Sequence, residues 1–386
     1  MYKFEDNEKT QLSFEYLLEI DTEDEKQDLP GIEYIETFDQ STPFRDGIDE
    51  RIKSLGFTGY IDSVQEKLAF LQKQFVKNEV DEVSKPTLKN WLTASAPDDS
   101  GRENVFKLCF ALEMNARETI EFFLKKCLTR PFNYKSPSEA VYFYCLLNGK
   151  NYQEAKQLIE EMHSMPNTRK GATERATEEI GAELCQIGNE EELLKYLSLH
   201  KYDVDNYHVT ATNRIKELRQ RCYKDASAES EWLGGEARSV TSDDELFDAI
   251  YGYDSAAMEK EKRNINSSRF PKAIRDCWPN RQLLFNVTKH SARKENVFRK
   301  LLILFTFYDY YVNAYAAERK NNRCIDLRSK AEEFEMELDQ VLAECGYIQL
   351  YKRNPYDWLF YYCSSFQDPI SKFRDVIDEY YLQEGG

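Results

Sequence analysis

The chain has 386 residues and a mass of 45.5 kDa, which is enough for two or three domains with separate hydrophobic cores. It is 41% hydrophobic and 31% charged, with only 15 Gly and 11 Pro, which excludes a small disulfide-stapled fold and disfavours a many-stranded one. The net charge of −17 argues against a chain that is basic overall and grips nucleic acid non-specifically. We therefore expect an all-α globular protein.

The acidic residues are concentrated in two parts of the chain. Residues 1–55 carry a net charge of −10 and residues 131–268 one of −8, whereas residues 56–130 are neutral and residues 269–386 carry +1. The acidic parts are typical of a solvated surface, or of one that meets a basic protein partner. The two neutral parts leave a nucleic-acid surface open.

Cysteine usage and hydropathy indicate the cellular compartment in which the protein folds. The nine cysteines are widely spaced and several lie within apolar helical runs, which indicates buried, reduced thiols. The start of the chain has no secretory signal pattern, and apolar runs such as residues 301–305 are far too short to cross a bilayer. The sequence therefore predicts a cytoplasmic protein without a membrane partner.

The predicted elements are helices, apart from the N-terminal part. Residues 1–55 mix acids with short apolar stretches and prolines, which predicts an irregular arm where residues 14–20 and 32–38 pair as a small hairpin. Apolar positions at helical spacing follow in the rest of the chain. They predict helices over residues 61–75, 84–92, 102–112, 115–124, 138–147, 152–162, 190–199, 297–315 and 324–345.

The order of these elements divides the chain into five segments, a multi-helical array without a fixed-period repeat. Residues 226–261 contain ten acids and two bases, which is typical of a linker or mobile loop around one short helix. Six side chains on apolar helix faces are expected to be buried: Leu108, Leu112, Leu301, Leu304, Phe305 and Trp358. The segments are an acidic arm (1–55), a helix-turn-helix-like module (56–130), a helical array (131–225), an acidic linker (226–268) and a C-terminal helical module (269–386).

One stretch carries a specific resemblance. Residues 83–92 read Val-Ser-Lys-Pro-Thr-Leu-Lys-Asn-Trp-Leu, and a polar loop, an apolar helical run at residues 102–112 and the pair Glu118-Thr119 follow. Residues 83–123 resemble the recognition helix and the next two helices of Cro/repressor-type helix-turn-helix proteins. The family normally has a Gly turn before that helix, whereas residues 75–82 contain no Gly. The resemblance implies that duplex DNA is the partner and that Lys85, Thr87, Lys89 and Asn90 contact it.

A second candidate surface is the most basic stretch of the chain, residues 281–300. Six cations there stand against one acid, with Phe285 and Phe298 interleaved, which indicates phosphate binding or a solvated face ahead of a buried helix. The candidate phosphate ligands are Arg281, Lys289, Arg293, Lys294, Arg299 and Lys300.

No catalytic signature is present in the sequence. The four histidines form no HExxH motif, and the chain contains no Cys-x-x-Cys, GxxxxGK[ST], GxGxxG or GxSxG pattern. Carboxylate groups such as Asp243-Asp244-Glu245 lie in polar, turn-like sequence, where solvation accounts for them. We therefore expect no enzymatic activity, no metal and no cofactor.

The chain as a whole resembles uncharacterised multi-helical Firmicutes proteins that join a repressor-like segment to a helical C-terminal domain. The stretches that carry this likeness are residues 121–123, 130–134, 148–152 and 353–359. Two hypotheses follow. In the first the protein is a DNA-binding transcription regulator; in the second it is a helical protein-binding scaffold, in a phage-defence or mobile-element module, with acidic surfaces for a basic partner.

Overall fold

The computed structural model confirms the all-α prediction. About 75% of the described residues are helical, in 17 helices, and these residues include no strand. The described residues are 43–93, 101–134, 136–165, 177–200, 207–232, 239–252, 268–290, 292, 294–321, 326–352 and 354–382. The residues of the predicted hairpin, 14–20 and 32–38, lie outside them.

The chain forms two compact units, and the division between them falls between Tyr207 and His208. Each unit has its own hydrophobic core, and no buried residue belongs to both cores. Among the described residues, the helical modules predicted from the sequence therefore form two units, each with a core of its own.

The first unit contains nine helices in its described part. Its core draws on side chains from Phe44 to Leu197, so the predicted 56–130 module and the first part of the predicted 131–225 array share one core. The helices are α1 (Pro43–Ser54), α2 (Val64–Lys77), α3 (Lys85–Thr93), α4 (Arg102–Ala111), α5 (Ala116–Phe122), α6 (Pro137–Leu147), α7 (Tyr152–Ser164), α8 (Thr177–Gln186) and α9 (Glu190–His200).

Local sequence sets where these helices begin and end. Asn115 caps α5 and Asn151 caps α7, each through a reciprocal capping box with the glutamate three residues later. Residues 123–127 continue α5 as one π-helical turn, which ends at Leu128 with a φ of 55°. Helix α6 is buried along most of its length, since every residue from Ala140 to Leu147 is at most 4% exposed. It therefore forms the centre of the first core.

Helix α1 corrects the expectation of an irregular arm up to residue 55. Phe44, Ile48 and Ile52 recur every four residues and are at most 2% exposed, so they form an apolar stripe that packs into the first core. Pro43 stands at the first helical position, where its missing N–H costs nothing. It starts the helix rather than breaking one.

The second unit contains eight helices in its described part, and the longest of them is its centre. The 27-residue helix α14 buries nearly every side chain from Val297 to Val312, as its apolar sequence predicts. The helices are α10 (Tyr207–Trp232), α11 (Asp243–Tyr251), α12 (Lys272–Arg275), α13 (Arg281–Thr288), α14 (Glu295–Asn321), α15 (Leu327–Glu344), α16 (Pro355–Ser364) and α17 (Pro369–Leu382).

The predicted acidic linker, residues 226–268, is in part helical and packed. Helix α10 runs on to Trp232 with Ala226 buried, and α11 buries Leu246, Phe247, Ile250 and Tyr251 in the second core. Three of the four acids of α11 lie in its first turn, where they complement the helix dipole and where Ser242 and Glu245 form a capping box. The one short helix expected in this stretch is therefore present, but it is packed into a core rather than set in a linker, because its apolar residues form a buried face.

The predicted core positions are confirmed. Leu108, Leu112, Leu301, Leu304 and Phe305 are 0% exposed and Trp358 is 3% exposed. Cys109 and Cys145 in the first core, and Cys222 and Cys363 in the second, are buried and form no disulfide with any described cysteine.

Candidate nucleic-acid interface

Helix α3, the predicted recognition helix, has one buried face and one exposed face. Leu88, Trp91 and Leu92 are at most 4% exposed and anchor the helix in the first core. The Trp91 indole meets the Phe44 ring of α1 edge to face, with 5.4 Å between the ring centroids. This packing holds the opposite side of α3 toward solvent.

Lys85, Lys89 and Asn90 lie on that exposed side. Lys85 and Lys89 are four residues apart, so they stand one turn apart along one stripe of the helix. None of the three side chains forms an ion pair or a hydrogen bond with a residue that the structure describes. Two ammonium groups and an amide are therefore available to an external ligand.

Thr87, the fourth predicted contact, has a local structural role. Its hydroxyl lies 2.7 Å from the hydroxyl of Ser84, and the Ser84 oxygen also accepts a hydrogen bond from the Thr87 N–H at 3.3 Å. These bonds cap the first turn of α3. Thr87 is half-buried and contributes to the start of the helix, whereas the other three residues form the open face.

The turn between α2 and α3 closes without glycine. Glu79 takes the left-handed conformation, with a φ of 53°, and the Val80 N–H donates to the Phe75 carbonyl at 2.9 Å, which gives the bond pattern of a Schellman motif. Val80 and Val83 are then buried in the core. The lack of Gly in residues 75–82 therefore does not prevent a tight reversal after α2.

Of the three acidic residues in this turn, Asp81 has a described cationic partner. Asp81 accepts hydrogen bonds from Lys156 Nζ at 3.0 Å and from the Tyr152 hydroxyl at 3.2 Å, both on α7. The hydrogen bond from Lys156 is the main reason that the pKa of Asp81 lies below its usual value. Glu79 and Glu82 are exposed. The face of α3 is thus cationic, with two exposed acids before it in the chain.

The structure places the cations of the second predicted surface, residues 281–300, in different environments: some are exposed and others are buried. Arg281 is exposed on α13, Lys289 is exposed directly after it, Lys294 is exposed before α14, and Arg293 lies outside the described residues. Arg281 pairs with Asp244 at 2.8 Å, and Lys289 lies 5.9 Å from the ring centroid of the half-exposed Phe285. Arg281 is thus paired with the acidic start of α11 rather than left open in a basic patch.

Arg299 and Lys300 are buried, at 6% exposed each, and serve the fold. Both terminal nitrogens of Arg299 contact the carboxylate of Asp357 at 2.6 Å, in a bidentate pair that joins α14 to α16. Lys300 Nζ donates to the carbonyls of Ala273, Ile274 and Asp276 at 2.6–3.0 Å and so caps the short helix α12. Their donors are occupied within the protein, which corrects the expectation that they bind phosphate.

Burial lowers the pKa of Lys300 to about 8, because the charged form loses its hydration. The aromatic face of Tyr356, 4.5 Å from Nζ, and the three carbonyls compensate in part. Sequence reasoning missed this role because an apolar helix with two adjacent cations looks the same whether the cations reach solvent or a neighbouring carbonyl.

The described residues offer no other obvious chemistry. They contain no group of three or more His, Cys, Asp or Glu side chains that could hold a metal ion. The carboxylates of the Asp243-Asp244-Glu245 group have structural partners. Asp243 pairs with Arg219 at 2.7 Å, Asp244 pairs with Arg281, and Glu245 belongs to the α11 cap. Among the described helices, none is long and apolar enough to cross a membrane.

Comparison with known proteins adds no relative: no family model matches the chain, and no curated protein or solved structure matches it.

Proposed function

We propose that the chain is a non-enzymatic, helix-turn-helix-type protein that binds duplex DNA through α3 and regulates transcription. The observation that carries this proposal is the pair of exposed lysines, Lys85 and Lys89, which no described residue neutralises, on a helix locked into the core by Trp91. Asn90, beside them, supplies the amide that pairs well with the edge of adenine. Lysines one turn apart can reach neighbouring phosphates or a guanine edge.

The net charge of −17 constrains how such binding works. A strongly acidic chain has no long-range attraction to DNA as a whole, so affinity has to come from a local cationic face. We therefore expect few phosphate contacts, and a modest fall of affinity as salt concentration rises. Strong sequence-independent binding at physiological salt is not expected.

The test is the double substitution Lys85→Glu/Lys89→Glu. Fluorescence anisotropy with a randomised duplex library at low salt should show binding of the wild-type chain and none of the variant. The free energy of unfolding should change by less than about 1 kcal/mol, because exposed lysines contribute little to folding.

The matched control is Lys195→Glu/Lys224→Glu, which changes the net charge equally at two exposed lysines of other helices, α9 and α10. It should retain most of the affinity. Equal losses in both variants would mean that total charge, rather than α3, governs binding. A wild-type chain without affinity for any duplex would contradict the proposal and leave the protein-binding scaffold as the alternative.

A further inference from the structure

The exposed side of α13 carries an aromatic ring between two cations. Leu284 and Val287 are 0% exposed and anchor this helix in the second core, whereas Phe285 is 50% exposed. Arg281, Phe285 and Lys289 follow one another at intervals of four residues, so they lie along one stripe of the helix surface. At a rise of about 1.5 Å per residue, the stripe is about 12 Å long.

Phe285 presents its ring to solvent beside a positive charge. Because Leu284 and Val287 occupy the core side of α13, the ring stays on the outer side. The Lys289 ammonium group lies 5.9 Å from the ring centroid. An exposed aromatic ring flanked by cations suits an unpaired nucleic-acid strand, because a base can stack on the ring while its phosphates meet the cations.

Two lysines supply positive charge at the C-terminal end of α13. Lys289 and Lys294 are exposed, and neither ammonium group forms an ion pair or a hydrogen bond with a residue that the structure describes. The Ala292 N–H donates to the Asn286 carbonyl at 3.1 Å, which folds the connection to α14 back against the end of α13. Lys294, two residues further on, therefore lies near the same end as Lys289.

Arg281, at the other end of the stripe, keeps donors for a phosphate although it pairs with Asp244. That pair joins Nη1 to a carboxylate oxygen at 2.8 Å, between side chains that are 67% and 48% exposed. An ion pair as exposed as this one contributes little, and a guanidinium has five N–H groups to donate. Since the acid lies at the Arg281 end, most of the attraction for phosphates comes from the two lysines.

We propose that this face of α13 binds single-stranded DNA. One base stacks on Phe285, and the phosphates on either side of that base contact Arg281 at one end and the two lysines at the other. A stripe of about 12 Å spans about three or four phosphates of a stacked strand. Within a duplex each base face is covered by the next base pair, so duplex DNA offers the ring no free face.

The choice of DNA over RNA follows from the donors of the stripe. Arginine and lysine side chains donate hydrogen bonds but accept none, and phenylalanine does neither, so the stripe cannot accept a bond from a ribose 2′-hydroxyl. RNA therefore gains nothing over DNA at this site. The site lies wholly within the second unit and does not depend on duplex binding by α3.

The experiment is fluorescence anisotropy on the full chain with a labelled short oligo(dT) strand at low salt. Unlabelled oligo(rU), blunt duplex DNA and a poly-glutamate peptide serve as competitors. We expect oligo(dT) to bind, oligo(rU) to compete no better than oligo(dT), and the duplex and the peptide to compete poorly. Stronger competition by oligo(rU) would assign the face to RNA, and strong competition by the peptide would assign it to an acidic protein; either result overturns the proposal.

Substitutions of Phe285 test the stacking. Phe285→Ala should weaken oligo(dT) binding about tenfold or more, because the stacking of one base is lost, and Phe285→Trp should retain the affinity. Tyr60→Ala is the matched control, because it removes an exposed ring that neighbours Asp62 rather than cations. The proposal fails if oligo(dT) does not bind the wild-type chain, or if Phe285→Ala, folded by circular dichroism, binds as tightly as Tyr60→Ala.

Charge substitutions locate the strand. Lys289→Gln should lower the slope of log Kd against log salt concentration by about 0.7, the value for one phosphate contact of a single strand. Lys85→Glu/Lys89→Glu should keep most of the affinity for oligo(dT), whether or not α3 binds duplex DNA. Loss of oligo(dT) binding in that double variant alone would place the strand on α3 and contradict a site on α13.

Discussion

Two aspartates, Asp225 and Asp309, are buried next to each other between α10 and α14. Asp225 is 9% exposed and Asp309 is 3% exposed, and Asn313 Nδ2 lies 3.4 Å from an oxygen of each. Arg221 pairs with Asp309 at 3.1 Å. Burial, together with a hydrogen bond to Asp309, raises the pKa of Asp225 to about 8. Asp225 is therefore protonated at pH 7 and donates to the Asp309 carboxylate.

This pair makes the stability of the second unit depend on pH. The folded-state pKa of Asp225 is raised, so its contribution is fully present below the unfolded value of about 4 and is lost as the pH rises toward 8. We expect the free energy of unfolding to fall between pH 5 and pH 8, by at most about 1.4 kcal/mol per pH unit from this group. Denaturant titrations of the wild-type chain and of Asp225→Asn at several pH values measure it.

Asp225→Asn should flatten that dependence, because an amide keeps the hydrogen bond and cannot ionise. Glu337 also faces Asp309, and burial raises its pKa, so a smaller slope of the same sign should remain. Asp375→Asn, an exposed carboxylate of α17, serves as the control. Identical slopes in Asp225→Asn and the wild type would show that the aspartate pair does not share a proton.

At the scale of single elements, α3 separates folding from binding on its two faces. Trp91→Ala should lower the free energy of unfolding by roughly 3–5 kcal/mol, because the indole is 4% exposed and packs against Phe44. Asn90→Ala, on the exposed face, should change it by less than about 0.5 kcal/mol. Urea denaturation followed by circular dichroism distinguishes them, and a Trp91→Ala chain as stable as Asn90→Ala would place Trp91 outside the core.

Most helices were predictable because their apolar residues recur at helical spacing and because capping residues mark their starts. The predicted starts at residues 84, 102 and 115 each lie within one residue of an observed helix. Apolar periodicity reveals which face is buried but not what a buried cation contacts, so Arg299 and Lys300 could not be told from Arg281 and Lys289. The turn at Glu79 could not be predicted either, since a glutamate and not a glycine takes the left-handed conformation there.

The candidate sites divide in the same way. Lys85, Lys89 and Asn90 were found from sequence because an exposed helix face follows directly from the buried positions between them. Thr87 could not be told from them, since only packing shows that its hydroxyl is used at the start of α3.

At the scale of the whole molecule, the two cores should respond separately to mutation. Phe143 in the first core and Phe305 in the second are both 0% exposed, and each substitution by Ala should cost about 3–5 kcal/mol. We expect differential scanning calorimetry to resolve two transitions, with Phe143→Ala lowering the midpoint of one and Phe305→Ala that of the other. A single transition that both variants shift alike would mean that the units unfold together.

The division into units follows packing and not charge. The sequence placed boundaries where acidic density changes, near residues 130 and 226, whereas the structure divides the chain at Tyr207. A helix with acids in its first turn and apolar residues beyond it, such as α11, counts as polar in a charge tally although it completes a core. Boundaries drawn from composition are therefore offset by whole helices.

The buried cysteines give each unit a native probe of how often its core opens to solvent. Cys109 and Cys145 lie in the first core, Cys222 and Cys363 lie in the second, and burial raises the pKa of each thiol, to about 12 for Cys109. Alkylating reagents attack the thiolate, so these sulfurs are protected both by inaccessibility and by protonation. Peptide mass spectrometry after timed alkylation would therefore record how often each core opens, in the native chain and without any introduced label.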